Sequence, residues 1–278
     1  MISMIQIKQN TFDRLLPVYG DRESNALIRA LQEDLFSRPK TILDEEDLVT
    51  WNQAVHRLLL HEPVAYITGK AYFLHLKLKV NRHVLIPRPE TESLVVYALH
   101  QLKQIPKPRV LDIGTGSGCI ALAIKSSIKE SLVFAIDVDG QTLDVALENA
   151  AIHKQEVTWI HSDIRIEDHW NILPTGLDLV ISNPPYILDG EKELMSASAL
   201  QYEPPLALFA GDDPVFFYKI IARFGLHHLK TNGRVLVEIN EFLADETKAV
   251  FELPGYSKPE LIQDLSGKDR ILSVVKLI

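Results

Sequence analysis

At 278 residues, with 46% apolar and 24% charged residues, the chain has the composition of a protein with a substantial core and the length of one large or two modest domains. A formal net charge of −8 argues against tight, sequence-independent binding to duplex DNA or RNA, whose affinity comes largely from Lys and Arg on phosphates. Cys119 is the only cysteine, which excludes an intrachain disulfide and a cysteine-based zinc site, and no metal is expected. The start, Met1-Ile2-Ser3-Met4-Ile5, lacks the long apolar core of a signal peptide, and no apolar stretch is long enough to span a bilayer. The cytoplasm is the expected compartment.

In chain order, the first 70 residues read as a small helical bundle. Leu27, Ile28, Leu31 and Leu35 share a helical face, and Asp44 caps a helix whose first turn carries Glu45 and Glu46. Behind that cap, Trp51, Ala54, Val55, Leu58 and Leu59 form a second apolar stripe. The period then changes to two, with Leu74, Leu76, Leu78 and Val80 alternating with His75, Lys77 and Lys79, as in a half-buried strand. Residues 71–90 are therefore read as a connector with a strand or hairpin. From residue 91 onward, short apolar runs alternate with helix-length segments. Candidate strands lie at 109–112, 132–136, 157–160, 177–181 and 234–238, with a last one at 270–277 and no helix after it. This predicts a doubly wound, mostly parallel α/β sheet over 91–278, Rossmann-like in class.

The run Asp112-Ile113-Gly114-Thr115-Gly116-Ser117-Gly118 lies between the first of these strands and a helix beginning near Cys119. Glycines there let the backbone turn sharply and approach a ligand closely. A P-loop would need Gly-Lys-Ser/Thr, whereas Gly118 is followed by Cys119 and Ile120. A dinucleotide loop needs Gly-x-Gly-x-x-Gly or Ala; counting from Gly114 the last place is Cys119, and only the count from Gly116 to Ala121 satisfies a lenient pattern. Gly-x-Gly-x-Gly instead resembles the S-adenosylmethionine loop of class I methyltransferases. Asp137, ending the second strand, is placed to accept hydrogen bonds from ribose hydroxyls. Asp163 is either a partner of the adenine amino group or a turn cap, and Trp170 either stacks on adenine or packs.

Asn183-Pro184-Pro185-Tyr186 follows the fourth strand at the same sheet edge. Each proline fixes its own φ and holds the preceding residue extended, so the segment presents two acceptors, the Asn183 side-chain oxygen and the Pro184 carbonyl. Two fixed acceptors suit an NH₂ on a planar carbon, and they favour its pyramidal transition state over the flat ground state. The Tyr186 ring is placed to stack on the planar group. Asn183, Pro184, Pro185 and Tyr186 are thus the catalytic candidates, with Gly114, Thr115, Gly116, Ser117, Gly118, Asp137, Asp163, Trp170 and Asn183 facing the cofactor.

With these loops, most of the chain resembles the protein-(glutamine-N5) methyltransferase family that acts on peptide chain release factors. The resemblance extends to Glu62-Pro63-Val64-Ala65-Tyr66, Pro87-Arg88-Pro89-Glu90-Thr91-Glu92, Tyr202-Glu203-Pro204-Pro205 and Asp264-Leu265-Ser266-Gly267-Lys268-Asp269-Arg270, of which the Pro-Arg-Pro-Glu-Thr-Glu run is the most selective. It implies S-adenosylmethionine as cofactor, a release factor as protein substrate, and a Gln in the factor's Gly-Gly-Gln loop meeting Asn183, Pro184 and Tyr186. It also implies that residues 1–70 help to bind the factor. The bland reading of Arg88, Glu90 and Glu92 is a helix start with a salt bridge. Departures from the family pattern fall at Tyr72-Phe73, Asp213-Pro214-Val215 and Glu238-Ile239-Asn240. The rival activity is amino methylation of nucleic-acid adenine or cytosine, or of another protein glutamine. The acidic charge and the lack of a basic, aromatic-interleaved stretch speak against the nucleic-acid substrate.

Overall fold

The structure, a computed structural model, describes every residue except Met1, Ser37, Pro39 and Leu265, together with all their side chains save those of Ile2, Asp189 and Leu194. Leu265, within the Asp264–Arg270 motif, therefore lies outside the described residues. The chain divides into two compact units. One comprises residues 1–70, 80–82 and 196–202, and the other residues 71–79, 83–195 and 203–278.

The first unit begins with β1 (Ile2–Ser3), α1 (Met4–Asp34), β2 (Ile42–Leu43), α2 (Glu45–Leu59) and α3 (Val64–Thr68). The two short strands pair antiparallel. Gly20, at φ 72°, interrupts α1 with a non-helical residue, three positions after Pro17. Asp44 caps α2 as expected, and the Asp47 side chain returns the bond to the Asp44 backbone, closing a capping box. Trp51, Ala54, Val55 and Leu58 bury the predicted stripe against Leu15, Ile28 and Leu31 of α1. Two of the polar groups carried inward pair with each other and with the backbone: Trp51 Nε1 donates to Thr11 Oγ1 at 2.9 Å, and Thr11 Oγ1 donates to the Ile7 carbonyl at 2.8 Å, whereas the buried Ser24 Oγ has no hydrogen-bond partner among the described residues. Glu62 takes Arg57 at 2.7 and 2.8 Å and Arg82 at 2.9 Å, and the Arg57 bond holds its carboxyl below the ordinary glutamate value.

The second unit takes in the hairpin of β3 (Lys70–Phe73) and β4 (Leu76–Lys79), whose Phe73, Leu76 and Leu78 enter its core. The segment expected as a separate connector over 71–90 is thus divided between the units: residues 71–79 and 83–90 belong to the second, and 80–82 to the first. Leu74, expected within a strand, sits in the turn at φ 50°. Next come α4 (Pro89–Leu102), β5 (Arg109–Ile113), α5 (Cys119–Ser127), β6 (Leu132–Asp137), α6 (Gly140–His153), β7 (Thr158–His161), β8 (Leu177–Ser182) and β9 (Ile187–Leu188), then α7 (Ala197–Tyr202), which belongs to the first unit, and β10 (Phe209–Gly211). The chain closes with α8 (Phe216–His228), β11 (Leu229–Glu238), α9 (Ala244–Phe251), β12 (Glu260–Gln263) and β13 (Asp269–Val275).

Seven strands form one sheet in the order β12-β13-β11-β8-β5-β6-β7. The five from β11 to β7 are parallel, while β13 runs antiparallel to both β11 and β12. The doubly wound α/β fold read from the sequence is the fold observed. Strand side chains alternate between two cores: Val110, Val133, Leu179 and Leu236 face α4 and α5, while Leu111, Ile136, Val180, Val235 and Val237 face α8 and α9. Both faces are covered, so both sets are apolar, which is why these strands read as unbroken hydrophobic runs. β5 lies at the centre of the five parallel strands, with β6 on one side and β8 on the other. The crevice at its carboxyl end is the place where such sheets bind ligands.

Candidate active site

The crevice is a cavity built wholly from the second unit, and the carboxyl ends of β5, β6, β7 and β8 contribute to it. Gly114 and Gly116 come from the loop after β5, Asp137 and Val138 from the end of β6, Asp163 and Ile164 from the segment after β7, and Asn183, Pro184 and Pro185 from the segment after β8. Val84 and Leu85 close one side, and Leu206, Phe209, Phe217 and Ile221 another.

The glycine loop is held by its own backbone. Gly114 and Gly116 adopt positive φ of 71° and 57°, and the N–H groups of Gly114 and Thr115 both donate to the Ile136 carbonyl at 3.0 Å. No atom lies within 4 Å of where a β-carbon on Gly114 or Gly116 would stand, so the loop is an open cradle on the cavity. Gly118 differs: at φ 81° it faces inward, and a β-carbon there would come within 2.9 Å of Trp159 Cη2 and 3.3 Å of Ala146 Cβ. Thr115, Ser117 and Gly118, expected against the cofactor, do not line the cavity. Thr115 is buried and donates through Oγ1 to Asp112 Oδ2 at 2.6 Å, and the Ser117 carbonyl accepts from Asn149 Nδ2 at 2.9 Å. Their task is to shape the loop. Asp112 is wholly buried beneath it, and burial pushes its pKa up to about 7 against the Thr115 bond.

Asp137 faces the cavity. Its Oδ2 accepts from Gly116 N at 3.0 Å and its Oδ1 from Asp139 N at 3.2 Å, so the carboxylate ties the loop to β6 while each oxygen keeps a lone pair for a further donor. Burial raises its pKa, and the Gly116 bond opposes that rise. Asp163 also lines the cavity, but both its oxygens are taken up by Arg165, at 2.7 to 3.0 Å, and that bond lowers its pKa. Of its two sequence readings, the turn is built: Arg165 N also donates to Asp163 Oδ1 at 2.9 Å. Trp170 packs rather than stacks on a ligand. It is buried edge-on to Phe224, with ring centroids 5.3 Å apart, its Nε1 donates to the Ile164 carbonyl at 2.8 Å, and it is absent from the cavity wall. The indole needs an apolar core around its ring and one acceptor at its edge; α8 supplies Phe224 for the first, and the segment after β7 supplies the Ile164 carbonyl for the second.

Asn183, half-buried, points its Nδ2 at Thr91 Oγ1, 3.0 Å away. Thr91 Oγ1 donates in turn to Glu238 Oε2 at 2.6 Å, and Tyr218 Oη donates to the Glu238 carbonyl at 3.0 Å. Burial pushes Glu238 up to about 7, partly offset by the Thr91 bond and by Arg270. Tyr186 lies on the other side of its loop from the expected position. It packs against the core between the sheet, α8 and α9 and is not part of the cavity wall, and burial pushes its hydroxyl up to about 12.

The motifs scattered through the sequence meet here. Arg88 Nη2 binds both oxygens of Glu203 at 2.7 Å, joining the Pro-Arg-Pro-Glu-Thr-Glu run to the Tyr-Glu-Pro-Pro run, and Glu92 Oε1 accepts from Leu74 N at 2.8 Å. Arg270 donates to Asp264 Oδ2 at 3.1 Å. Thr91 and Glu238 were not singled out individually from sequence. The available signal was that each stands in a motif that otherwise had no partner for the catalytic loop. Asn240, a departure from the family pattern, caps the turn that follows it by accepting from Phe242 N at 3.0 Å. The described residues include no helix long and apolar enough to cross a membrane.

Comparison with known proteins agrees with this geometry. The Methyltransferase small domain model matches residues 93–211, and the PrmC N-terminal domain model matches residues 29–69. A release factor glutamine methyltransferase of Flavobacterium psychrophilum is 37% identical over 87% of this chain and 85% of its own length. Another, from Lactococcus lactis, is 38% identical over 84% of each. Among solved structures, the Thermus thermophilus 16S rRNA N2 G1207 methyltransferase in complex with AdoMet and guanosine shares the fold, with a TM-score of 0.52 at 14% identity over 75% of this chain and 50% of that one. The open glycine cradle beside a strand-end carboxylate fits S-adenosylmethionine, the cofactor of this enzyme class. The chain belongs to the release factor glutamine methyltransferase family.

Proposed function

We propose that the protein methylates the side-chain amide nitrogen of the Gln in the Gly-Gly-Gln loop of a peptide chain release factor. The observation that carries this reading is the meeting of the Asn183-Pro184 acceptors with the Gly114-Gly116 cradle and Asp137 in one cavity wall. Gly114 and Gly116 let the cofactor approach the backbone, and Asp137 accepts its ribose hydroxyls. Bound S-adenosylmethionine supplies an electrophilic methyl carbon on a sulfonium. Asn183 Oδ1 and the Pro184 carbonyl accept the two amide hydrogens and orient the nitrogen lone pair toward that carbon. With the cofactor bound, the held nitrogen would form the new C–N bond while the sulfur kept the electrons of the broken S–C bond, and the amide nitrogen would then give up one proton to solvent. So alkylated, the nitrogen is strongly acidic, and no dedicated base is required. Holding the nitrogen about 3 Å from the methyl and in line contributes the orientation term. Residues 1–70, which carry no cavity residue, serve to read the protein substrate.

Uptake of labelled methyl by release factor, duplex DNA and tRNA, assayed side by side, tests the reading. Label is expected in the release factor alone. Label confined to DNA or tRNA overturns it.

A further inference from the structure

Asn183 can do its work only with its oxygen turned to the substrate, and an amide side chain is nearly symmetric in shape. A flip by half a turn would present two N–H donors to a substrate NH₂ and abolish the site. What chooses the orientation is therefore part of the catalytic machinery. The chain Asn183 Nδ2 to Thr91 Oγ1 to Glu238 Oε2, at 3.0 and 2.6 Å, supplies the choice, and its last two members are 3% and 2% exposed. Thr91 has one hydroxyl hydrogen. When a carboxylate takes it, the oxygen can only accept, and the group facing it from Asn183 must be the NH₂. The Glu238 backbone is itself anchored by Tyr218, so the carboxylate does not drift.

We propose that Thr91 and Glu238 are positioning residues for methyl transfer, with ionised Glu238 polarising the Thr91 hydroxyl so that Asn183 is locked with Oδ1 toward the reacting nitrogen. This inference rests on the reading of Asn183 given above. Protonated Glu238 would donate to Thr91, whose hydrogen would then turn to Asn183 and favour the flipped amide. The groups facing Glu238 are Arg270 on β13, Arg88 and Glu90 at the start of α4, Tyr186 from the catalytic loop, Cys119 at the start of α5 and Tyr218 of α8, whose hydroxyl is pushed well above its ordinary value by burial. Tyr186 and Cys119 are both pushed up to about 12, far from neutrality. Asp112, raised to about 7 as well, lies under the glycine loop, hydrogen-bonded to Thr115, and is retained in the wild type and the Glu238→Gln variant alike.

The test measures kcat and KM on release factor for the full chain carrying Thr91→Val, Thr91→Ser and Asn183→Ala. Misorientation of a reacting group typically costs up to about a hundredfold, so Thr91→Val is expected to lower kcat by about ten- to a hundredfold with the KM for release factor within about twofold. Thr91→Ser, which keeps the hydroxyl, should restore most of the rate. If Thr91→Val turns over at the wild-type rate while Asn183→Ala is impaired, this inference fails and the reading of Asn183 stands; if Asn183→Ala is also unimpaired, the reading itself fails. Should Thr91→Val not fold, Glu238→Gln decides, since its side chain has no proton to lose or gain near neutrality and the variant's kcat cannot follow the titration of Glu238. Wild-type kcat should fall relative to Glu238→Gln as pH drops through about 7, and superimposable profiles would overturn the proposal.

Discussion

An amide nitrogen is a poor nucleophile because its lone pair is delocalised into the carbonyl, so the side chain opposite it has to favour the pyramidal nitrogen over the planar one. On the proposed mechanism Asn183 would meet that need with one fixed acceptor, and losing one preorganised bond of this kind typically costs about 10²–10³ in rate. Folded Asn183→Ala should show that loss in single-turnover methyl transfer, whereas a merely structural asparagine would lose thermal stability and keep its turnover. Asp137→Ala removes ribose hydrogen bonds worth on the order of 1–3 kcal/mol, a tenfold or greater weakening of S-adenosylmethionine binding by calorimetry. Unchanged affinity would reduce Asp137 to a tie between Gly116 and β6. Both residues were legible in the sequence because their neighbours dictate their backbone: strand ends and prolines leave little choice of direction. Trp170 and Tyr186 were not, since whether an aromatic side chain turns to a cavity or to the core depends on partners such as Phe224 and Tyr218, distant in sequence.

At the scale of elements, the β5 loop carries two burdens. Gly118 must keep a left-handed φ of 81° with Trp159 packed where a side chain would go, so Gly118→Ala should destabilise the fold by at least about 1 kcal/mol and loosen the cradle with it. A thermal melt and a cofactor titration on the same sample check both effects. Beneath the loop, Asp112 has a folded pKa raised by burial to about 7 from an ordinary value near 4. The folded state therefore binds the proton more tightly than the unfolded chain, and the stabilisation this confers is complete at low pH and lost as pH rises through about 7. Asp112→Asn should flatten that decline in denaturant midpoints measured between pH 4 and 8, and an unchanged slope would contradict the assignment. Helices and parallel strands were readable because apolar period and burial coincide in them. β12 was missed, as Glu260-Leu261-Ile262-Gln263 holds only two apolar residues and owes its place to pairing with β13. The hairpin at 70–79 read as a connector because its period of two announces a strand without naming the core that covers it.

The molecule as a whole separates cofactor chemistry from the helical unit. Every cavity-lining residue belongs to the α/β unit, while segments 1–70, 80–82 and 196–202 form the other. A chain beginning at Ala71 should keep S-adenosylmethionine binding and lose most activity on release factor. A soluble, folded truncation with full activity would end the assignment of substrate reading to residues 1–70. The acidic surface accords with a protein substrate rather than a nucleic acid backbone. The most direct measurement is mass spectrometry of release factor after incubation with the full-length protein and S-adenosylmethionine, with fragmentation to locate the added group. The account predicts one methyl on the side-chain nitrogen of the Gln in the Gly-Gly-Gln peptide. An unmodified Gly-Gly-Gln peptide, or a methyl placed on any other residue, would contradict it.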